Sequence, residues 1–413
     1  MTDAKRIVVA GMPAAGHFNP SLPIVRELAR RGFEVTYYTS DDFRARVEEA
    51  GCEFRTYPAG TLGPADIAEA TRNGGPVRVV ARVLTATEAL LPLLLSDLDT
   101  RRPDAIAFDS NAIWGRMAAA RLGLPMISLM TTMLIGGKAM ARLNAREWLH
   151  FLGEAIPGVP AARSAKRRVV RQFGKDAYPP APGLPMRGDV TVFPVPRWMQ
   201  SPDPRIDDGC HFVGPTIRPP REDAPLDDEL AAFTDGPEPV VLVSLGTLHA
   251  GSDAFFRACF EALGGLPARI LLVAGSHTDP ARLGKPPANT LIRASVPQLE
   301  VLRRAAAFVT HGGMNSALEG LACGVPLVVV PQQVEQLVIG EAVAGRGAAT
   351  VLRHNLSKRP VPVAELRAAV ENALSGSSPR EAAQAIGASL GEDGGAPAAA
   401  EAIEDYLRTR HPG

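Results

Sequence analysis

The string from Ala305 to Gln336, AAAFVTHGGMNSALEGLACGVPLVVVPQQVEQ, constrains the fold more than any other part of the chain. Ala306 to Thr310 is a short run of apolar and β-branched residues, the pattern of a buried strand. His311-Gly312-Gly313 follows, and two adjacent glycines let a backbone turn sharply and approach a ligand closely. Asn315-Ser316 is expected to open a helix, with Ser316 and Glu319 spaced as a capping box. That helix should stop near Gly324, and Val325 to Val330 reads as a second buried strand. A strand that feeds a glycine turn into a helix start aims free amides and the positive end of the helix dipole at one spot, which suits a phosphate. Gln332, Gln333, Glu335 and Gln336 then fall at the carboxyl end of the next strand, the edge at which open α/β sheets bind ligands.

An ordinary βαβ unit accounts for the turn and the cap equally well, with Ser316 and Glu319 closing the helix and His311 satisfied by a carbonyl. The spacing of the whole string separates the two readings. H-G-G-x-N-S-x-x-E, a strand, then P-Q-x-x-E-Q resembles the nucleotide-sugar signature of family-one glycosyltransferases, and most of all the bacterial members that act on macrolides, flavonoids and other small aglycones. The match departs at Met314, where plant members carry tryptophan.

With 413 residues the chain exceeds one core and suits two domains. Lys plus Arg and Asp plus Glu both total 44, and this balance lacks the basic footprint of a nucleic-acid binder. Cys52, Cys210, Cys259 and Cys323 show no CxxC spacing, which fits small core residues or free thiols in a reducing cytoplasm. No secretion signal is read at the N-terminus, and no run of about 18 apolar residues is found, so no spanning helix is expected.

In the first half, Arg6 to Ala10 is a strand, and Gly11 and Gly16 follow at P-loop spacing. His17 and Phe18 replace the lysine and hydroxyl residue of that motif, so it fails. Asn19 and Pro20 read as the cap and first residue of a helix, which leaves His17 on the loop before it. A lone histidine is more often structural, but a ligand-facing edge and a glycine before it favour chemistry. Gly16-His17-Phe18-Asn19-Pro20 resembles the catalytic-histidine loop of the same family. An acceptor hydroxyl is a poor nucleophile until a neutral imidazole takes its proton. Asp109 ends a buried strand. It could simply cap the next helix; the resemblance implies that it orients His17 and stabilises its charged form. Met126, Met130, Met133, Met140, Trp148 and Phe151 form an apolar segment that is core in most proteins and lines the acceptor pocket in this family. Met130, Met133 and Phe18 are the acceptor contacts implied. The basic stretch Lys166, Arg167, Arg168 and Arg171 suits a solvated helix face, with a peripheral membrane contact or an acidic acceptor as the sharper alternative.

In the second half, Ser244-Leu245-Gly246-Thr247 follows a strand and resembles the family's S-x-G-T loop, which faces the diphosphate. Val296-Pro297-Gln298 resembles the V-P-Q that cradles the nucleobase; a plain turn is the alternative. Residues 209–239 read as a linker. Gly387 to Gly391 spells G-x-S-x-G without the preceding strand that a nucleophile elbow needs, and Asp97-Leu98-Asp99 spells DxD at a helix end; both are taken as chance.

The resemblance therefore implies an α/β GT-B fold: two Rossmann-like domains with parallel sheets facing each other across a cleft. The first domain would span 1–215, the linker 216–239 and the second domain 240–395, with residues 396–413 packed back on the first. The activity implied is that of an inverting glycosyltransferase that needs no metal or other cofactor. It would move a hexose from a nucleotide sugar, UDP-glucose before a dTDP-deoxysugar, to a hydroxyl of a small hydrophobic aglycone. His17 and Asp109 would be catalytic. Gly16, Ser244, Gly246, Thr247, Val296, Gln298, His311, Gly312, Gly313, Asn315, Ser316, Glu319, Glu335 and Gln336 would bind the donor. No nucleic-acid partner is expected, and monomer and homodimer both remain open. Three other classes stand beside this one: a catalytically silent nucleotide-sugar-binding partner protein, a GT-B epimerase and an NAD-dependent Rossmann enzyme.

Overall fold

The structure is a computed structural model that describes residues 5–181, 183–217, 226–246, 253–275 and 278–410. Its frame is two parallel sheets. The first contains β1 (Arg6–Ala10), β2 (Glu34–Thr39), β3 (Glu53–Thr56), β4 (Ala105–Asp109), β5 (Met126–Leu129), β6 (Val190–Phe193) and β7 (Cys210–Phe212), in the order β3-β2-β1-β4-β5-β6-β7. The second contains β8 (Val240–Ser244), β9 (Arg269–Val273), β10 (Thr290–Arg293), β11 (Ala305–Thr310), β12 (Leu327–Val329) and β13 (Ala349–Val351), in the order β10-β9-β8-β11-β12-β13. Every pairing recorded between these strands is parallel. The central strands are continuous aliphatic runs because helices cover both faces; all five residues of β4 and of β8 are buried.

The strand order reverses between β1 and β4 and again between β8 and β11. Each reversal opens a crevice at the carboxyl ends of its strands. His17 follows β1, and Asp109 ends β4. Ser244 to Gly246 follow β8, and His311 to Gly313 follow β11. All four segments therefore lie at switch points.

Several local expectations are revised. Cys210–Phe212 belongs to the first sheet as its edge strand beside β6, so the stretch from Gly209 is not all linker. Asp228–Thr234 is helical, with the Asp227 carboxylate accepting from the Leu230 amide. The first helix begins at Ala15 with Ala14 as its cap, so His17 lies in the first helical turn and Pro20 inside the helix. The helix after β11 begins at Met314 on Gly313 with no side-chain cap, and the expected capping box of Ser316 and Glu319 does not form because Glu319 turns to Gln298.

One helix, Gly75–Arg101, is long and apolar enough to cross a membrane by length and composition alone, with mean hydropathy 1.6. Its apolar residues are spent on packing. Leu90, Leu91, Leu94 and Leu98 are buried in the first lobe's core with Trp114, Val169 and Phe173. The basic helix Val159–Phe173 packs on it through Ala165, Val169 and Phe173; Arg168 pairs with Glu88 at 2.8 Å, and Lys166 sits over the Tyr178 ring. These contacts fit a solvated helix face.

The last helix, Gly395–Arg410, crosses back to the first lobe. Ala399, Ala400, Ile403 and Leu407 are fully buried in a cluster with Leu22, Val25 and Leu28. The Tyr406 hydroxyl donates to Asp189 at 2.8 Å. Elsewhere the lobes are tied by ion pairs: Arg353 holds the buried Glu147 at 2.6 Å, and Arg142 holds Glu341 at 2.7 Å.

Candidate active site

On the first lobe the site starts from His17. Nδ1 lies 2.9 Å from Asp109 Oδ2 and 3.1 Å from Oδ1. Asp109 is 3% exposed, and its Oδ1 also accepts the Asn111 amide at 2.8 Å. The His17 side chain keeps 21% of its surface, so the ring is held from behind and open in front. Burial pulls its pKa down, but the charge and hydrogen bond of Asp109, aided by Glu335, outweigh this and leave it raised above the ordinary 6.5. A histidine held by a buried carboxylate can take a proton and have the resulting charge stabilised. Thr131 completes the cluster: its Oγ1 is 2.5 Å from Asp109 Oδ2 and 2.7 Å from His17 Nδ1. No motif flagged Thr131. Its one sequence signal is its place just past the carboxyl end of β5, the same edge that carries His17 and Asp109.

On the second lobe the glycines shape the site. Gly246 and Gly312 both have φ of +80°. A Cβ on Gly313 would lie 2.4 Å from His311 Nε2, and one on Gly246 would lie 2.6 Å from its Cε1. The imidazole is thus sheathed between two glycines, at either of which a Cβ would displace the ring. Glu319 accepts from Gln298 Nε2 at 2.6 Å, and the same amide lies 3.3 Å from Ser316 Oγ. Burial raises the Glu319 pKa, with the Gln298 bond opposing. Gln298, Ser316 and Glu319 therefore form one polar cluster, assembled from the V-P-Q turn and the helix after the glycines.

Near His17, two further hydrogen bonds join the halves. Asn315 Nδ2 donates to the Gly16 carbonyl at 3.1 Å, and Glu335 Oε1 accepts the Met133 amide at 3.2 Å. The first has a cause in the sequence. In a helix the amide of residue 20 would bond to the carbonyl of residue 16, but Pro20 has no amide hydrogen. The Gly16 carbonyl thus loses one helical donor, and Asn315 supplies one from the other lobe. Glu335 lies close enough to His17 to help raise its pKa; burial raises its own, opposed by Thr132, His17 and the Met133 amide. A cleft of about 260 Å³ runs beside these contacts, walled by Asn19, Pro20 and Arg26 on one side and by Gln298, Asn315 and Glu319 on the other.

Other expected site residues fall differently. Thr247 lies outside the described residues. Ser244 is buried, with its Oγ 3.5 Å from the Gly246 amide. Val296 packs against the second lobe's core. Gln336 is buried, and its Oε1 accepts the amides of Gln332 and Gln333, so its oxygen is already occupied. Phe18 is fully buried, stacked on Phe43 and edge-on to Tyr37; as the next residue after His17 in a helical turn it faces the core. Met130 and Met133 are also fully buried, in a cluster with Phe193 and Met199, because the loop after β5 is pinned through Leu134 to Gln200. Phe18 thus belongs to the first lobe's core, and the two methionines pack in a cluster shared with second-lobe residues such as Leu242 and Phe308. Among the described residues no three or more His, Cys, Asp or Glu side chains gather in a way that could hold a metal ion.

Residues 189–389 match the family model described as UDP-glucoronosyl and UDP-glucosyl transferase. The chain is 31% identical over 405 residues to the NDP-glycosyltransferase YjiC of Bacillus licheniformis, covering 98% of each. The chain belongs to this glycosyltransferase family. It is also 31% identical to the demethyllactenocin mycarosyltransferase of Streptomyces fradiae, over 96% of this chain and 85% of that one. Among solved structures, the glycosyltransferase of kitacinnamycin superposes with a TM-score of 0.78 at 30% identity, covering 98% and 99% of the two chains. The two parallel-sheet domains are those of the GT-B fold, and this glycosyltransferase carries its His17–Asp109 pair and its glycine-sheathed His311 on opposite lobes.

Proposed function

We propose that this glycosyltransferase moves a hexose, with inversion and without a metal, from a nucleotide sugar to a hydroxyl of a small hydrophobic natural product. The observation that carries the reading is the buried Asp109 carboxylate on Nδ1 of a part-exposed His17, one residue from the Gly16 carbonyl that Asn315 of the donor lobe engages. His17 takes the acceptor proton through Nε2. The acceptor oxygen bonds to the anomeric carbon while the bond from that carbon to the nucleoside diphosphate breaks, and Asp109 stabilises the imidazolium. The amides of the Gly312-Gly313 turn, the start of the Met314–Ala322 helix and His311 stabilise the departing negative charge. Glu319 accepts from ribose hydroxyls, Gln298 flanks the base, and Glu335 accepts from hydroxyls of the transferred sugar.

We favour UDP-glucose as the donor, because Glu335, a half-buried carboxylate already bonded to the Met133 amide, has lone pairs for further hydroxyls that a deoxygenated sugar does not supply. A dTDP-deoxysugar is the second reading. Two observations favour it: the oxygen of Gln336 is already held by its own backbone, and one relative is named a mycarosyltransferase. Transfer assays with UDP-glucose and a dTDP-deoxysugar against phenolic and macrolide aglycones, read by mass spectrometry, decide between them. Turnover only with the deoxysugar overturns the ranking, and full transfer by His17→Ala overturns the mechanism.

A further inference from the structure

We infer that Thr131 is a positioning residue that fixes which nitrogen of His17 is free to accept a proton; the inference rests on His17 being the base. Thr131 is 5% exposed, and its hydroxyl touches both members of the pair. A threonine hydroxyl has one hydrogen to give and lone pairs to receive, whereas an ionised carboxylate only receives. At 2.5 Å from Asp109 Oδ2, the hydroxyl must donate there. Its single hydrogen is then spent, so at 2.7 Å from His17 Nδ1 the same oxygen can only accept. Nδ1 therefore carries hydrogen, which it shares between Thr131 Oγ1 and Asp109 Oδ2.

The opposite tautomer, with hydrogen on Nε2, would set the Nδ1 lone pair against two oxygens with no hydrogen between them. Asp109 alone disfavours that state. Thr131 adds a second acceptor on Nδ1 and occupies Oδ2 with a donor, while the Asn111 amide occupies Oδ1. The carboxylate is held at both oxygens, and the ring is held by two contacts at Nδ1, so both its tilt and its tautomer are set. Nε2 is left with a free lone pair, which is the state a general base needs.

The test compares Thr131→Val, Thr131→Ser and His17→Ala in the full chain. Steady-state kinetics and ¹⁵N spectra of the imidazoles are the readouts, with the His17 signals assigned by their absence from His17→Ala. Thr131→Val, close in shape and without the hydroxyl, is expected to lower kcat roughly tenfold or more, the loss that one charge-assisted hydrogen bond implies, with both KM values unchanged. Its neutral His17 should shift toward the Nε2–H form, and Thr131→Ser should restore both rate and tautomer. Unchanged kcat in Thr131→Val overturns the inference, as does a loss of rate with an unaltered tautomer ratio, which would mark a packing role. If His17→Ala itself still turns over, the base reading fails instead, so the two failures are separable.

Discussion

The two halves of the proposed active site, donor and acceptor, are built in different ways. The donor half draws on neighbours in sequence: His311, Gly313, Asn315, Ser316 and Glu319 all fall within nine residues, on one turn and the helix it opens, with Gln298 added from the preceding turn. The acceptor half is assembled from the ends of three strands, with His17, Asp109 and Thr131 separated by 92 and 114 positions from the histidine. One half is a contiguous motif and the other is a meeting of distant residues. A contiguous motif tolerates a shift of the whole lobe, whereas a convergent one depends on the sheet that sets its spacing.

If proton removal belongs to the first lobe and donor grip to the second, substitutions should separate cleanly between kcat and KM. The largest effect should come from His17→Ala, with kcat lower by about 10²–10⁴ and donor affinity by calorimetry unchanged. Weakened donor binding in that variant would break the separation. Asp109→Asn should lower kcat by about 10², and it sharpens the comparison through pH. The base works when neutral, so activity falls as pH drops through the folded-state pKa of His17, which lies above 6.5. Without the Asp109 charge, burial pulls that pKa down, so the acid limb of the kcat/KM profile should move to lower pH. A limb that stays in place would remove His17 from the proton transfer. The same raised pKa makes the His17–Asp109 pair stabilise the fold fully below pH 6.5, and this contribution is lost as pH rises through the folded-state value.

On the donor side, Gly313→Ala places a Cβ 2.4 Å from His311 Nε2, so the ring must move. The donor KM should rise roughly tenfold, as loss of a hydrogen bond to a charged group implies, with the acceptor KM unchanged. A mainly kcat effect would make His311 part of the chemistry. The smallest effect should follow Asn315→Ala. It removes one exposed neutral hydrogen bond between lobes, worth about 0.5–1.5 kcal/mol, and should cost no more than a few degrees in Tm by calorimetry.

What could be read before the structure follows the same division. The glycine turn, its helix and the E-Q pair stand in one string, so their mutual placement follows from local geometry. His17 and Asp109 could be named through short motifs at strand ends, since the carboxyl edge of a parallel sheet is where such residues meet. Thr131 could not, because only the order β1-β4-β5 places the residue after β5 next to the other two. Helix starts follow a related rule. Asn19-Pro20 and Ser316-Glu319 carry good local capping signals, but the chain enters the first helix at Ala14 and the other at Gly313, and Glu319 finds a better partner in Gln298. The resemblance points Phe18 and the methionines at the acceptor, but their apolar character does not by itself distinguish a pocket wall from the core, and in the structure all three side chains are buried.

Pro20 has a consequence that reaches past its own helix. By withholding one amide it turns a main-chain oxygen into a socket, and the plug is a side chain borne by the opposite lobe. The peptide that forms this socket joins Gly16 to His17. Rocking of one half of the molecule against the other would therefore pull on the backbone of the proposed base, coupling hinge motion to the place where a proton would be taken up.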